Sequence, residues 1–141
     1  MRRLSLVTGI LFSLAGCGGS KLQPLSGQVL ASGKPAVGAV VMFYPDGPAD
    51  LNARPASGVC GPDGTFTLST GLDGGLAPGK YLVTVVWPDP NVKLTDAQKM
   101  AGANPSDAPD VFKGRYAKRE SSKLTAEVKT GAAQLEPFNL K

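Results

Sequence analysis

From position 25 onward the apolar residues recur at every second place, the spacing that puts side chains on one face of an extended strand. Val37, Ala39, Val41 and Phe43 share one parity, and Val40, Met42 and Tyr44 take the other. The same alternation sets Phe66 and Leu68 against Thr65 and Thr67, and Tyr81, Val83, Val85 and Trp87 against Leu82, Thr84 and Val86. Leu124, Ala126 and Val128 alternate in the same way with Thr125, Glu127 and Lys129. Between the runs lie Gly33-Lys34-Pro35, Pro45-Asp46-Gly47, Pro62-Asp63-Gly64, Ala77-Pro78-Gly79 and Thr130-Gly131. In these turns Asp-Gly tolerates positive φ and Pro presets φ near −65°. Seven strands are predicted, roughly over 25–30, 37–45, 56–60, 65–69, 80–87, 123–129 and 135–140. Together they predict an all-β fold, a seven-stranded antiparallel Greek-key β-sandwich, with a closed barrel as the alternative.

The pattern fails over 88–112, which holds Pro88, Pro90, Pro105 and Pro109 and shows no alternation. Within it Thr95-Asp96-Ala97-Gln98 fits a capping box and predicts one or two helical turns over 94–101, with helix confined to that region. Loops of this length are usually functional or mobile.

The 141 residues leave room for one domain. Glycine and proline together make 30 residues, many enough for a turn-rich chain yet short of the composition of low-complexity disorder. Histidine is absent, which excludes Ser-His-Asp and Cys-His nucleophile systems, HExxH metal sites and imidazole pH switches.

Ahead of the strands, Met1-Arg2-Arg3 is followed by an apolar run over 4–15, too short for the ~20 residues of a membrane span. This is the layout of a signal peptide over 1–16. Its end, Leu14-Ala15-Gly16-Cys17, resembles a bacterial lipobox, in which the cysteine receives a diacylglycerol thioether and cleavage falls before it. Cys17 is then the lipidation site, residues 17–24 a short tether and 25–141 the folded domain. A diacylated cysteine anchors a protein to a membrane without any helix. Gly18 after the cysteine, by resemblance to lipoproteins of two-membrane bacteria, favours the outer membrane. Loss of Arg2 and Arg3 lowers the formal net charge from +4 to +2. Cys60 is left without an intrachain partner, so no disulfide is expected.

A series of motifs runs through the domain in order: Ser26-Gly27-Gln28-Val29, Gly33-Lys34-Pro35, Gly38-Ala39-Val40-Val41-Met42-Phe43, Gly58-Val59-Cys60-Gly61-Pro62-Asp63-Gly64-Thr65-Phe66, and Leu76-Ala77-Pro78-Gly79-Lys80-Tyr81. The series resembles the carboxypeptidase regulatory-like domain of the transthyretin-like (prealbumin-like) superfamily. Tyr116 and Ser121-Ser122-Lys123-Leu124-Thr125-Ala126 look like the closing strands of small bacterial lipoproteins that carry it. The resemblance implies a prealbumin-like sandwich and no catalytic residue. Enzymes on related sandwiches depend on histidines, and hydroxyisourate hydrolase also on a C-terminal Tyr-Arg-Gly-Ser, whereas this chain reads Phe138-Asn139-Leu140-Lys141.

The remaining candidates are weighed residue by residue. Gly27 and Gly33-Lys34 miss the spacing of a phosphate loop and are followed by Pro35. Asp46, Asp50, Asp63 and Asp73 suggest a calcium site or an acid/base pair, but most sit in Pro/Gly turns, where an Asp side chain bonds its own backbone. Trp87 and Tyr81 offer a stacking platform for sugar rings, although their parity is that of the core; Tyr44 is a lesser candidate on the opposite face. Cys60 has no neighbouring cation to make it reactive and reads as a small buried hydrophobe. No cofactor and no metal are expected.

Charge is uneven. Residues 17–110 carry 6 Lys/Arg against 8 Asp/Glu, whereas 111–141 carry 7 against 3. Lys113, Arg115, Lys118, Arg119 and Lys123 form a basic stretch that with the loop spans 88–115 and just beyond, and it is the expected surface contact for an envelope protein, an anionic lipid or a glycan. Nucleic acid is not an expected partner of an exported chain without basic-aromatic interleaving. The sequence thus points to a non-enzymatic, lipid-anchored cell-envelope module held to the outer membrane through Cys17. The alternative is an enzyme acting on an envelope glycan through carboxylates or lysine.

Overall fold

The computed structural model describes residues 21–47 and 54–141. The expected signal segment 1–16, Cys17 and Asp50 lie outside the described residues. Among the described residues the chain is mostly β, with two facing sheets. One is built around β1 (Ser26–Ala31), flanked by β10 (Phe138–Leu140) on one side and on the other by β5 (Thr65–Thr67) and β2 (Lys34–Pro35). The other runs in the order β7 (Asp73–Gly74), β6 (Ser69–Thr70), β4 (Ala56–Val59), β3 (Val40–Pro45), β8 (Gly79–Val86), β9 (Leu124–Val128).

The alternation does what its parity requires. Val41 and Phe43 of β3 and Val83 and Val85 of β8 are fully buried between the sheets. Phe43 sits at the centre, 6.2 Å from the rings of Phe66, Tyr81 and Phe138, so side chains from both sheets meet in one aromatic cluster. Antiparallel register aligns Phe43 with Val83 and Val41 with Val85, which keeps both inner faces in phase.

Several elements depart from expectation. The strand expected over 37–45 starts at Val40, because Gly38 turns the chain at φ 80° and leaves Val37 43% exposed. The strand expected over 65–69 divides at the buried Leu68: β5 pairs with β1, whereas β6 pairs with β4 in the opposite sheet. One ladder is parallel. β10 joins β1 with Val29 opposite Phe138 and Ala31 opposite Leu140, while the other ladders are antiparallel. β10 arrives by a crossing from β9 in the other sheet, so its direction follows from that crossing and not from a hairpin turn.

Helix is not confined to 94–101. α1 (Asp96–Met100) forms there with the expected capping box between Thr95 and Gln98, but α2 (Arg119–Ser122) and a 3-10 turn, Pro105–Asp107, are present too. α2 is a single turn, too short to leave a helical period in the sequence. It packs on β8 and buries Ser122, and Thr84, on the outer side of the sheet, is only 3% exposed. Lys123 ends it in the left-handed region at φ 53°, so β9 begins at Leu124.

Gln23, within the tether expected over 17–24, is bound to the fold. The Gln23 main chain exchanges hydrogen bonds with Leu76 at 3.0 and 2.9 Å. Its side-chain amide donates to the carbonyls of Lys129 at 2.7 Å and Ala132 at 3.1 Å and accepts from the Gly131 N–H at 2.9 Å. No helix among the described residues is long and apolar enough to cross a membrane.

Candidate functional site

β8 ends at Val86, one residue short of the expected strand end, and after Trp87 comes the long loop expected from Pro88. The loop is closed at its neck. Val111 N–H donates to the Trp87 carbonyl at 2.8 Å, and Asp89 N–H donates to the Pro109 carbonyl at 2.9 Å. Asp110 turns its carboxylate inward, where Oδ1 accepts from the N–H groups of Trp87 at 2.9 Å and Phe112 at 3.2 Å, and Oδ2 accepts from Gly114 at 2.7 Å. Carboxylate–amide bonds of this kind are about twice as strong as neutral ones. They hold the segment after the loop against the strand before it.

An aromatic wall follows from this closure. The Trp87 indole donates through Nε1 to the Val37 carbonyl at 2.9 Å, which fixes the ring. Phe112 lies 5.6 Å from Trp87, and Tyr116 meets Phe112 edge-on at 5.2 Å. The Tyr116 carbonyl accepts from Val85 N–H at 2.9 Å, tying the wall back to β8.

Between this wall and the β1–β2 turn lies a cleft of about 440 Å³. Its cationic lining consists of Lys34, Lys113, Arg115 and Lys141, and no carboxylate side chain lines it. Arg115 Nη1 donates to the main-chain oxygen of Lys141 at 2.9 Å, and the Tyr116 hydroxyl donates to the same oxygen at 3.3 Å. Lys113 holds φ 53°, in the left-handed region that costs a non-glycine residue about 1 kcal/mol or more. A larger groove of about 530 Å³ runs between β9 and 132–138, but Glu127 and Glu136 offset Lys129 there.

The basic stretch read from the sequence is divided by the fold. Lys113 and Arg115 face the cleft, whereas Arg119 belongs to α2 and holds its guanidinium 4.8 Å above the Tyr44 ring. Lys118 and Lys123 flank α2 and are exposed. Lys34 and Lys141 were missed in the sequence, and no linear signal marks them. They come together because Lys34 pairs with Ala31, which in turn lies opposite Leu140 in the parallel ladder. Among the described residues the one ion pair is Lys99–Asp96, at 3.3 Å.

The other candidates fall elsewhere. Tyr81 is buried, its hydroxyl donating to the Ala77 carbonyl at 2.8 Å, so it presents no stacking face. Cys60 is buried in the core, and that burial, with the Asp63 charge adding to it, pushes its thiol up to about 11. Asp63 caps its own turn: the Thr65 hydroxyl at 2.6 Å and the Thr65 N–H at 3.1 Å hold its carboxyl below the usual range. Asp46 is exposed on the bend after β3 and Asp73 is exposed in β7, and among the described residues no three potential ligands gather to hold a metal ion.

The cleft and the start of the fold occupy opposite ends of the sandwich. Gln23 bonds the segment that follows Val128, which pairs with Gly79 at the first residue of β8. Trp87 follows the last residue of β8, eight strand positions or about 25 Å away. Comparison of the chain with protein-family models, with curated proteins and with solved structures returned no match.

Proposed function

We propose that this chain is a lipid-anchored, non-enzymatic binding module of the cell envelope, acylated at Cys17 after removal of residues 1–16 and held to the outer membrane. In this reading the domain is a seven-stranded Greek-key sandwich of the prealbumin-like, carboxypeptidase regulatory-like kind. Among the described residues ten strands form, three of them only two residues long. Support for the topology comes from β3 and β8, far apart in sequence and adjacent in one sheet, and from the crossings between sheets at β4–β5 and β9–β10.

The observation that carries the functional reading is polarity. Six residue steps separate Cys17 from Gln23, so the tether reaches at most about 20 Å, and Gln23 is bound at the end remote from the cationic cleft. The cleft is thereby presented away from the anchoring bilayer, toward an anionic partner. Electrostatic attraction brings such a partner in and weakens as salt rises.

The test is made on full-length protein. Mass spectrometry of the membrane fraction is expected to find an N-terminal peptide beginning at acylated Cys17. Capture of anionic envelope components is expected to be salt-sensitive and to fail when Lys113 and Arg115 are both replaced by Gln. A soluble form with a free Cys17 thiol overturns the anchor, and a substrate turned over by purified protein overturns the non-enzymatic reading.

A further inference from the structure

We infer that the cleft at the Trp87 end binds an acidic sugar, a pyranose ring carrying a carboxylate or phosphate, with the ring against the indole and the anion on the surrounding cations. The inference rests on reading the cleft as a contact site and adds the chemical class of its ligand. Its volume, about 440 Å³, lies within the ~300–1,000 Å³ of small-molecule sites. The wall and the rim ask for different parts of one ligand. Trp87, pinned through Nε1 to the Val37 carbonyl, and Phe112 behind it present a fixed apolar surface, which suits the C–H face of a sugar ring.

The rim supplies the countercharge. Arg115 uses one Nη1 hydrogen bond on the Lys141 main-chain oxygen and keeps further donors for a planar oxyanion, while Lys34, Lys113 and Lys141 act as mobile point charges. Asp110, a carboxylate of the same loop, is not in the lining and is engaged by three backbone N–H groups. Lys113 stands in the left-handed region next to Gly114, where a second glycine would sit without strain, so a cation is placed there at a conformational cost.

Headgroups of the anchoring leaflet are a poor match for this site. The cleft lies about 25 Å along β8 from the bound Gln23, some three Debye lengths at physiological salt. A glycan extending into the surrounding space reaches it.

Trp87 is the chain's single tryptophan, so its fluorescence reports this cleft alone. Full-length protein in detergent is titrated with trigalacturonate, with its neutral methyl ester, with glucose 6-phosphate, with inorganic phosphate and with detergent micelles containing phosphatidylglycerol. Saturable change in Trp87 emission is expected with trigalacturonate or glucose 6-phosphate. Affinity is expected to be about ten-fold weaker for the methyl ester, for inorganic phosphate and in Arg115→Gln. Whichever of the two acidic sugars binds identifies the anion as carboxylate or phosphate. Lys113→Gln, an exposed change with little risk to folding, is expected to weaken binding as well. The inference is overturned if neither acidic sugar changes the emission, if the methyl ester binds as tightly as the acid, or if inorganic phosphate or the phosphatidylglycerol micelles match the sugars. A Trp87 response to phosphatidylglycerol micelles that is lost in the Lys113→Gln/Arg115→Gln variant overturns the sugar while leaving the binding-module reading in place.

Discussion

The carboxylate of Asp110 accepts the main-chain N–H of Trp87 at 2.9 Å across 23 residues of intervening chain. That bond, with the two from Phe112 and Gly114, joins both ends of the long loop and sets the aromatic wall beside β8. Replacing Asp110 by Ala leaves three N–H groups without their acceptor. A loss of about 2–4 kcal/mol in urea denaturation is expected, with faster hydrogen exchange at Gly114. Asp110→Asn retains one acceptor and is expected to lose about half as much.

Gly75 stands at φ 102°, and a Cβ there collides with the Gln23 carbonyl. Gly75→Ala is expected to destabilise by about 3 kcal/mol or more, through strain and through the displaced bridge to Leu76. Gly33, at φ 81° with nothing within 4 Å of an added Cβ, is the comparison. Gly33→Ala is expected to cost only about 1 kcal/mol. Equal losses in thermal or urea unfolding would contradict the close approach at Gly75.

Burial raises the Cys60 thiol from 9.0 to about 11, so the folded protein keeps it protonated where the unfolded chain ionises. The resulting stability is fully present below pH 9 and is lost between about pH 9 and 11, a decline of about 2–3 kcal/mol. Cys60→Ala is expected to remove this fall, read from urea midpoints at pH 8 and 10.5. In the native protein Cys60 is expected to resist a thiol reagent at pH 8 and to react once unfolded.

Arg119 lies over Tyr44 and away from the cleft, so the two halves of the basic stretch should separate in experiment. The triple change Lys118→Gln, Arg119→Gln and Lys123→Gln is expected to leave Trp87 emission and ligand affinity nearly unchanged. Its cost in stability is expected to be about 1 kcal/mol, the scale of an exposed cation–π contact. A loss of binding equal to that of Arg115→Gln would contradict this division.

How far the candidate site was legible in the sequence differs from residue to residue. Lys113 and Arg115 stand out in a linear count of charge, and Trp87 stands out as an aromatic at the end of a strand. Lys34 stands more than 70 residues from Lys113 in the chain and shows nothing locally that marks a cleft. Asp110 reads as one loop carboxylate among several, because its three hydrogen bonds exist only after the loop has closed.

The alternation along β3 and β8 determined the core, since side-chain parity in a strand is a local property that burial then enforces on Val41, Phe43, Val83 and Val85. Thr95 and Gln98 likewise determined where α1 starts, their capping box lying within four residues. Tertiary structure alone decided the sheet change at Leu68, the one-turn α2 packed on β8 and the parallel ladder that carries Lys141 toward Lys34. Each of these depends on contacts between segments far apart in the chain. Their loop-closure cost is recovered only when the two sheets pack, and no local pattern encodes that exchange.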